Sequence, residues 1–227
     1  MSTSSDAAKK LADLINKVMK QVPEVVPADR DALEELVFSL LLYNNTSARA
    51  EEALQKLLEG TIDYNDLRVT LTEDLVNLIG ADFPQATERI DRIRASLSEI
   101  YTRQYEVTLK PASELSKRDA RTYLESLPGM NPFAAARVLL LCFKGHAIPL
   151  DEQMLSCLIE EGVFEADTKL HAAQSFLERH IKASNSIPTY LQLQYWAEHY
   201  HDDQSNKKAN SKSSRGKKKT TTGTAAD

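Results

Sequence analysis

The chain has 227 residues, of which 42% are apolar and 27% charged, so it is long enough to bury one sizeable core or two small ones. Its seven glycines and eight prolines are too few for a turn-rich all-β architecture, and its longest apolar run, residues 138–143, is too short to cross a bilayer. The two cysteines exclude a disulfide framework, and the first residues lack the basic-then-apolar order of a secretory signal. We therefore expect a soluble, reduced, cytoplasmic protein with no membrane association, and one associated with the nucleoid if its source is bacterial.

Charge is distributed unevenly along the chain. The overall net charge is −5, but residues 203–227 contain seven basic and two acidic residues, which leaves a charge of −10 on residues 1–202. The segment 203–227 has no apolar residue larger than alanine, so we predict a disordered basic tail. This tail either raises the affinity for DNA by neutralising phosphates or serves only as a solubilising end.

The first half of residues 1–202 shows helical periodicity. Asp6 is a candidate cap for a helix that ends near Lys20, before the prolines at positions 23 and 27. The next helices are predicted to start at Asp29 or Asp31, at Thr46 or Ser47, and at Thr72, the last two ending at Gly60 and Gly80.

Helical patterns continue through the second half. Pro84 suits the first turn of a long helix that extends to about Tyr101, and residues 105–109 are expected to form a connector. Further helices are predicted over 117–126 with Ser116 as cap, over 133–143 after Pro132, from Asp151 onward, and over 168–182 and 188–201. About ten helices and no strand predict an all-α fold for residues 1–202.

A tight turn, Leu127-Pro-Gly-Met-Asn-Pro132, joins two of these helices. Gly129 supplies the backbone freedom that a hairpin between helices needs. The second helix begins with backbone N–H groups that have no partner within the helix, and together with the helix dipole they can bind one phosphate. Such a contact positions a nucleic acid without reading its sequence.

The hairpin and the residues after it resemble a known family. Residues 127–135 (Leu-Pro-Gly-Met-Asn-Pro-Phe-Ala-Ala), followed by 147–151 (Ala-Ile-Pro-Leu-Asp), resemble the helix-hairpin-helix signature of the endonuclease III-like DNA glycosylases. Residues 40–47 (Leu-Leu-Leu-Tyr-Asn-Asn-Thr-Ser) resemble the family segment that approaches DNA near the extruded base. The resemblance covers about Asp31 to Leu158 and implies double-stranded DNA, damaged or mismatched, as the partner.

The resemblance also implies roles for individual residues. The family's catalytic carboxylate corresponds to Asp151, which could equally be a plain helix N-cap. Glu152 could be an added acid, although we favour a contribution to the helix dipole. The residues expected to contact DNA are Gly129, Met130, Asn131, Phe133, Ala134, Asn44 and Asn45. Of these, Phe133 could instead belong to the core, and the two upstream asparagines could simply end a helix.

Several departures from the family pattern limit the reactions and cofactors that we expect of this chain. The nucleophilic lysine of the lyase members is replaced by Phe133, which cannot form a Schiff base, so no β-lyase activity is expected. Asn131 replaces the second hairpin glycine, and we expect it to preserve the turn because asparagine tolerates a left-handed backbone. The last cysteine is Cys157, so the family's four-cysteine loop is missing and no iron–sulfur cluster or other cofactor is expected. The histidines show no metal-ligand spacing, so no metal site is expected.

Three hypotheses follow. The first is a DNA-binding protein of the base-excision-repair type which, if active, is a monofunctional N-glycosylase that uses Asp151. The second is a non-enzymatic DNA-binding descendant of the same fold, and the third is a helical protein-interaction domain. The acidic body, Asn131 and Gln153 motivate the second hypothesis.

Overall fold

The computed structural model describes residues 4–200, and within this range it contains helices and no strand. The predicted all-α fold is therefore confirmed for this part of the chain, whereas the predicted tail, residues 203–227, lies outside the described residues. No helix between residues 4 and 200 is both long enough and apolar enough to span a membrane.

The helices follow one another with short connections. Their bounds are α1 Ser4–Gln21, α2 Ala32–Leu42, α3 Ser47–Gly60, α4 Tyr64–Val69, α5 Thr72–Ile79, α6 Ala86–Gln104, α7 Lys110–Ser113, α8 Lys117–Glu125, α9 Pro132–Leu141, α10 Glu152–Glu160, α11 Leu170–His180 and α12 over residues 186–200. A single 3₁₀ turn, Ala183–Asn185, leads into α12.

Helix starts agree with the sequence predictions where a side chain caps the helix. Asp31, Thr46 and Ser116 each accept a hydrogen bond from a backbone N–H of the first turn. The prediction for Thr72 is wrong: this residue lies inside α5, and its hydroxyl donates to Asp91 across the interface with α6.

The remaining differences lie at weakly marked helix ends. Asp6 belongs to the first turn of α1, and Pro84 precedes α6, which begins at Ala86. The short helices α4 and α7 were not predicted, because each is too brief to show an apolar period.

Helices α2 and α9 form the centre of the core. Both are apolar around most of their circumference and almost entirely buried, and they share the most extensive helix–helix contact among the described elements. A helix with apolar residues on all sides requires packing partners on all sides. The other helices therefore surround this pair.

A buried ion pair joins these two helices. Arg137 of α9 and Glu35 of α2 are 3% and 2% exposed, and the Nε of Arg137 lies 2.8 Å from a carboxylate oxygen of Glu35. The guanidinium also donates to Tyr190 and Gln194 of α12. Because a buried charge is tolerated only when it is paired and hydrogen-bonded, this group fixes the arrangement of three helices.

The C-terminus of α2 is held by a second buried arginine. Arg89 of α6 is 3% exposed, and its guanidinium donates to the backbone carbonyls of Leu40 (2.8 Å), Leu41 (3.1 Å) and Tyr43. The last carbonyls of a helix have no partner within it and carry the negative end of the helix dipole. Arg89 thus supplies both hydrogen bonds and positive charge where α2 needs them.

We predict that Arg89→Met lowers the free energy of unfolding by about 3 kcal/mol, because several buried carbonyls lose their donor. The matched control is Arg92→Met, one turn further along α6. Among residues 4–200, the side chain of Arg92 hydrogen-bonds only to Glu88, in an exposed ion pair, so its loss should cost no more than about 0.5 kcal/mol. Denaturant unfolding of both variants measures the difference, and equal losses would contradict this role of Arg89.

Candidate functional site

The hairpin between α8 and α9 is docked on α6. Gly129 has a φ of +81°, and a Cβ at this position would lie 2.5 Å from the backbone oxygen of Arg92. The hydroxyl of Ser96, one turn further along α6, donates to the carbonyl of Pro128 at 2.7 Å. Only glycine fits both the left-handed backbone and the close approach to Arg92. The turn predicted at Gly129 therefore requires glycine for two separate reasons.

Asn131 keeps the hairpin in a way that differs from the prediction. Its φ is −110°, so the expected left-handed backbone at this position is wrong. Instead, Asn131 is the N-cap of α9, and its side-chain oxygen accepts from the N–H of Ala134 at 2.7 Å. The backbone N–H groups of Gly129, Asn131 and Phe133 have no acceptor among residues 4–200. Three amides therefore remain unused at the start of α9.

The predicted DNA-contacting residues of the hairpin differ in exposure. Gly129 and Met130 are partly exposed, whereas the side chains of Phe133 and Ala134 are buried in the core. Phe133 and Ala134 can therefore offer a ligand only their backbone, and the N–H of Ala134 is already capped by Asn131.

Asp151 joins two segments of the chain. It is the N-cap of α10, and one carboxylate oxygen accepts from the N–H of Met154 at 2.9 Å. The other oxygen accepts from the N–H of Asn44 at 3.1 Å, in the turn between α2 and α3. Burial raises the pKa of Asp151 above its ordinary value, and the two backbone hydrogen bonds only partly offset this effect.

Asp151 lines a small cavity. This cavity has a volume of about 10 Å³, which is enough for one water molecule. Phe133 lines the same cavity, and its ring centre lies 5.6 Å from that of Tyr43. The other lining residues are Leu42, Asn45, Gln153, Met154, Gln194, Ala197 and Glu198, and they include no lysine or arginine.

The exposed rim beside Asp151 is closed by Asn44 and Glu152. Asn44, with a φ of +51°, donates from its amide to a carboxylate oxygen of Glu152 at 2.8 Å and accepts from the backbone N–H of Glu152 at 3.1 Å. The hydroxyl of Tyr43 donates to the second oxygen of Glu152 at 2.8 Å. Partial burial raises the pKa of Glu152, but these hydrogen bonds outweigh it and hold the pKa below its ordinary value.

The structure thus brings Asp151 together with Phe133 and with the adjacent pair Asn44 and Asn45, which lie in three separate segments of the sequence. Asn45 is buried, and its side chain is bonded to the backbone of its own turn. Sequence reasoning missed Tyr43, Gln194 and Glu198. The only local signals were the position of Tyr43 beside Asn44 and the spacing of four residues that places Gln194 and Glu198 on one face of α12.

Comparison with known proteins relates this arrangement to solved structures. No protein-family profile and no curated protein matches the chain. A trapped covalent intermediate of endonuclease III with DNA matches with a TM-score of 0.69 at 17% identity, over 83% of this chain and 85% of that chain. The 8-oxoguanine glycosylase/lyase of Clostridium acetobutylicum, in complex with double-stranded DNA, matches with a TM-score of 0.65 at 15% identity, over 86% and 70%. A thermostable thymine-DNA glycosylase matches with a TM-score of 0.62 at 15% identity, over 85% and 87%.

This chain has the endonuclease III-like, helix-hairpin-helix DNA glycosylase fold. The matches cover 83–86% of this chain. The fold predicted from residues 127–151 is therefore confirmed. Within this glycosylase fold, the hairpin of residues 127–132 joins α8 to α9, and Asp151 begins α10.

We predict that Gly129→Ala destabilises the protein by at least about 2 kcal/mol more than Gly162→Ala does. Gly162 has a similar φ of +75° but open space around its missing side chain, so alanine there adds only backbone strain. Alanine at position 129 adds a collision with the backbone of Arg92. Denaturant unfolding of the two variants gives the comparison, and equal losses would show that the hairpin is not held against α6.

Proposed function

We propose that this protein binds double-stranded DNA and acts as a monofunctional DNA N-glycosylase of the base-excision-repair type. One observation carries the proposal. Asp151 lines a cavity together with Phe133, which is the second residue of the helix whose N-terminal amides are unused. A reactive carboxylate and a phosphate-binding hairpin are thus connected by a single turn of α9.

In this proposal, the hairpin binds the DNA backbone. The free N–H groups of Gly129, Asn131 and Phe133 lie at the positive end of the α9 dipole, where a backbone phosphate is stabilised. The groove beside Gly129 is lined by Glu88 and Asp91 as well as Arg92, so side-chain charge adds little attraction there. Binding at the hairpin therefore depends on the backbone amides and is independent of sequence.

Asp151 provides the chemistry. Breaking the bond between base and sugar develops positive charge on the sugar, which a fixed carboxylate stabilises. The bond electrons leave with the base, and a water molecule, activated by the same carboxylate, adds to the sugar carbon. The cavity at Asp151 has room for such a water.

Access to Asp151 requires a local rearrangement. The target base must leave the DNA stack, which costs a few kcal/mol. The cavity of about 10 Å³ does not hold a base, so the contacts of Asn44 with Glu152 have to open when the base enters. Both residues are exposed, and the asparagine is then free to meet the DNA, as the sequence predicts.

The proposed reaction stops at base release. A lyase step needs an amine that attacks the sugar, and the lining of the Asp151 cavity contains none. We also propose that the reaction uses no iron–sulfur cluster or other cofactor.

A second candidate function is DNA binding without catalysis. It is favoured by the two hydrogen bonds that already occupy both oxygens of Asp151, and by the small size of the cavity. Tight binding to duplexes that carry damaged bases, with no base released from any of them, would identify the protein as such a binder.

We predict that Asp151→Asn lowers the rate of base release from a duplex carrying one damaged or mismatched base by roughly 100-fold or more. Asparagine is as good an N-cap as aspartate, so α10 stays capped while the negative charge is lost. Asp167→Asn, in an exposed loop, is the matched control and should leave the rate unchanged. Unaltered release in the position-151 variant would remove this residue from the mechanism.

We predict that borohydride traps no covalent adduct between this protein and DNA containing the damaged base or an abasic site. Phe133 stands where an amine would be needed, so no Schiff base forms for borohydride to reduce. Endonuclease III, treated in parallel, is the positive control for trapping. An adduct that maps to any lysine of the chain would contradict the monofunctional assignment.

A further inference from the structure

A buried arginine and the candidate carboxylate contact the two ends of one peptide group. The guanidinium of Arg89 donates to the carbonyl oxygen of Tyr43 at 2.6 Å. The N–H of the next residue, Asn44, donates to a carboxylate oxygen of Asp151 at 3.1 Å. A carbonyl and the N–H that follows it belong to one planar, conjugated unit. The guanidinium, the peptide and the carboxylate therefore form one continuous line of hydrogen bonds.

This line of hydrogen bonds is shielded from water at both ends. Arg89 is 3% exposed and Asp151 is 7% exposed. Hydrogen bonds in such surroundings are electrostatically stronger than in water, and each bond in a line polarises the next. A positive charge at the carbonyl oxygen draws electrons toward that oxygen, so the N–H of the same peptide becomes a stronger donor. The contact from Asn44 to Asp151 is thus strengthened by a charge on the far side of the peptide.

The other contacts of Arg89 hold its guanidinium in this orientation. It donates to the carbonyls of Leu40 at 2.8 Å and Leu41 at 3.1 Å, and its Nε donates to the carbonyl of Pro84 at 2.9 Å. A longer contact, at 3.4 Å, reaches the side-chain oxygen of Gln85. Every acceptor of Arg89 among residues 4–200 is a neutral oxygen, so its positive charge acts on peptide and amide groups.

The charged groups that face Asp151 directly are negative. Burial raises the pKa of Asp151, and the carboxylates of Glu152 on α10 and Glu198 on α12 raise it further. The N–H groups of Met154 and Asn44 are the contacts that lower this pKa. The remaining titratable neighbours are neutral at neutral pH, because burial raises the pKa of each; they are Tyr43, Tyr190 and Cys157.

We infer that Arg89 is a positioning residue for Asp151, which acts through the peptide group between Tyr43 and Asn44 and keeps the carboxylate in its charged form. For its part in base release this role rests on the proposed function, because only the charged carboxylate stabilises a positive charge on the sugar. The charge state of Asp151 can be measured without any reaction, so the two are tested separately.

The test is an NMR titration of the Asp151 carboxyl carbon in the full chain and in Arg89→Met. Without the guanidinium the N–H of Asn44 is a weaker donor, so the pKa of Asp151 should rise by about one unit. The matched control is Arg92→Met, because Arg92 is also a cation of α6 that acts on Tyr43 but does not bond to its carbonyl. In this control the pKa of Asp151 should change by less than about 0.3 unit.

The pH profile of base release separates positioning from stability. Release should be lost as the pH falls through the pKa of Asp151, because the protonated acid no longer stabilises the positive sugar. In Arg89→Met this loss should occur at a pH about one unit higher than in the unaltered protein. A purely structural role would lower the amount of active protein without moving the midpoint of the profile.

The unaltered protein supplies a measurement that does not depend on the folding of a variant. As Asp151 takes up its proton, the amide proton of Asn44, the carbonyl carbon of Tyr43 and the guanidinium nitrogens of Arg89 should all shift. Each should have the midpoint of the Asp151 carboxyl carbon, because polarisation is transmitted along the whole line of hydrogen bonds.

Three results would overturn the role of Arg89. They are an unchanged pKa of Asp151 in Arg89→Met, an equal rise in Arg92→Met, and guanidinium resonances that do not respond at the Asp151 midpoint. Any of these in a protein that still releases a base would leave the proposed function standing. The expected rise in pKa, in a protein that releases no base from any duplex, would overturn the proposed function and leave the role of Arg89 intact.

Discussion

The geometry of the candidate site depends on the hydrogen bonds that the last backbone carbonyls of α2 accept. Arg89 donates to the carbonyls of Leu40, Leu41 and Tyr43, so the chain can leave the helix abruptly without exposing unpaired carbonyls in the core. The next residue, Asn44, adopts a left-handed backbone and directs its N–H to Asp151. The position of the carboxylate is therefore fixed by a guanidinium that does not touch it.

Capping and chemistry are compatible roles for Asp151. The hydrogen bond from Met154 fixes the side-chain rotamer, and the hydrogen bond from Asn44 fixes the second oxygen. Burial then works against the charged form of this group and raises its pKa. A carboxylate that is oriented but poorly solvated is suited to stabilising a positive charge that appears only in a transition state.

Local features of the sequence predicted local features of the structure. The caps at Asp31 and Thr46 and the hairpin at Gly129 could be found because each depends on residues within one helical turn. The prediction for Asn131 was wrong because asparagine suits both a left-handed turn and an N-cap. Only the backbone angle distinguishes these two roles. The position of Glu198 at the site could not be predicted, because its partner Ser47 lies 151 residues away. No pattern in either segment indicates the contact.

The docking of the hairpin has a mechanical consequence. Arg89, Arg92 and Ser96 share one face of α6, and this face carries both the turn that meets Asp151 and the hairpin that contains Gly129. The two anchoring positions are seven residues apart, about 10 Å along a rigid helix axis. The distance between the hairpin and the carboxylate is thus set by the length of a helix segment and cannot adjust independently. In the proposed function, bound DNA therefore has to adapt to a spacing that this helix segment keeps constant.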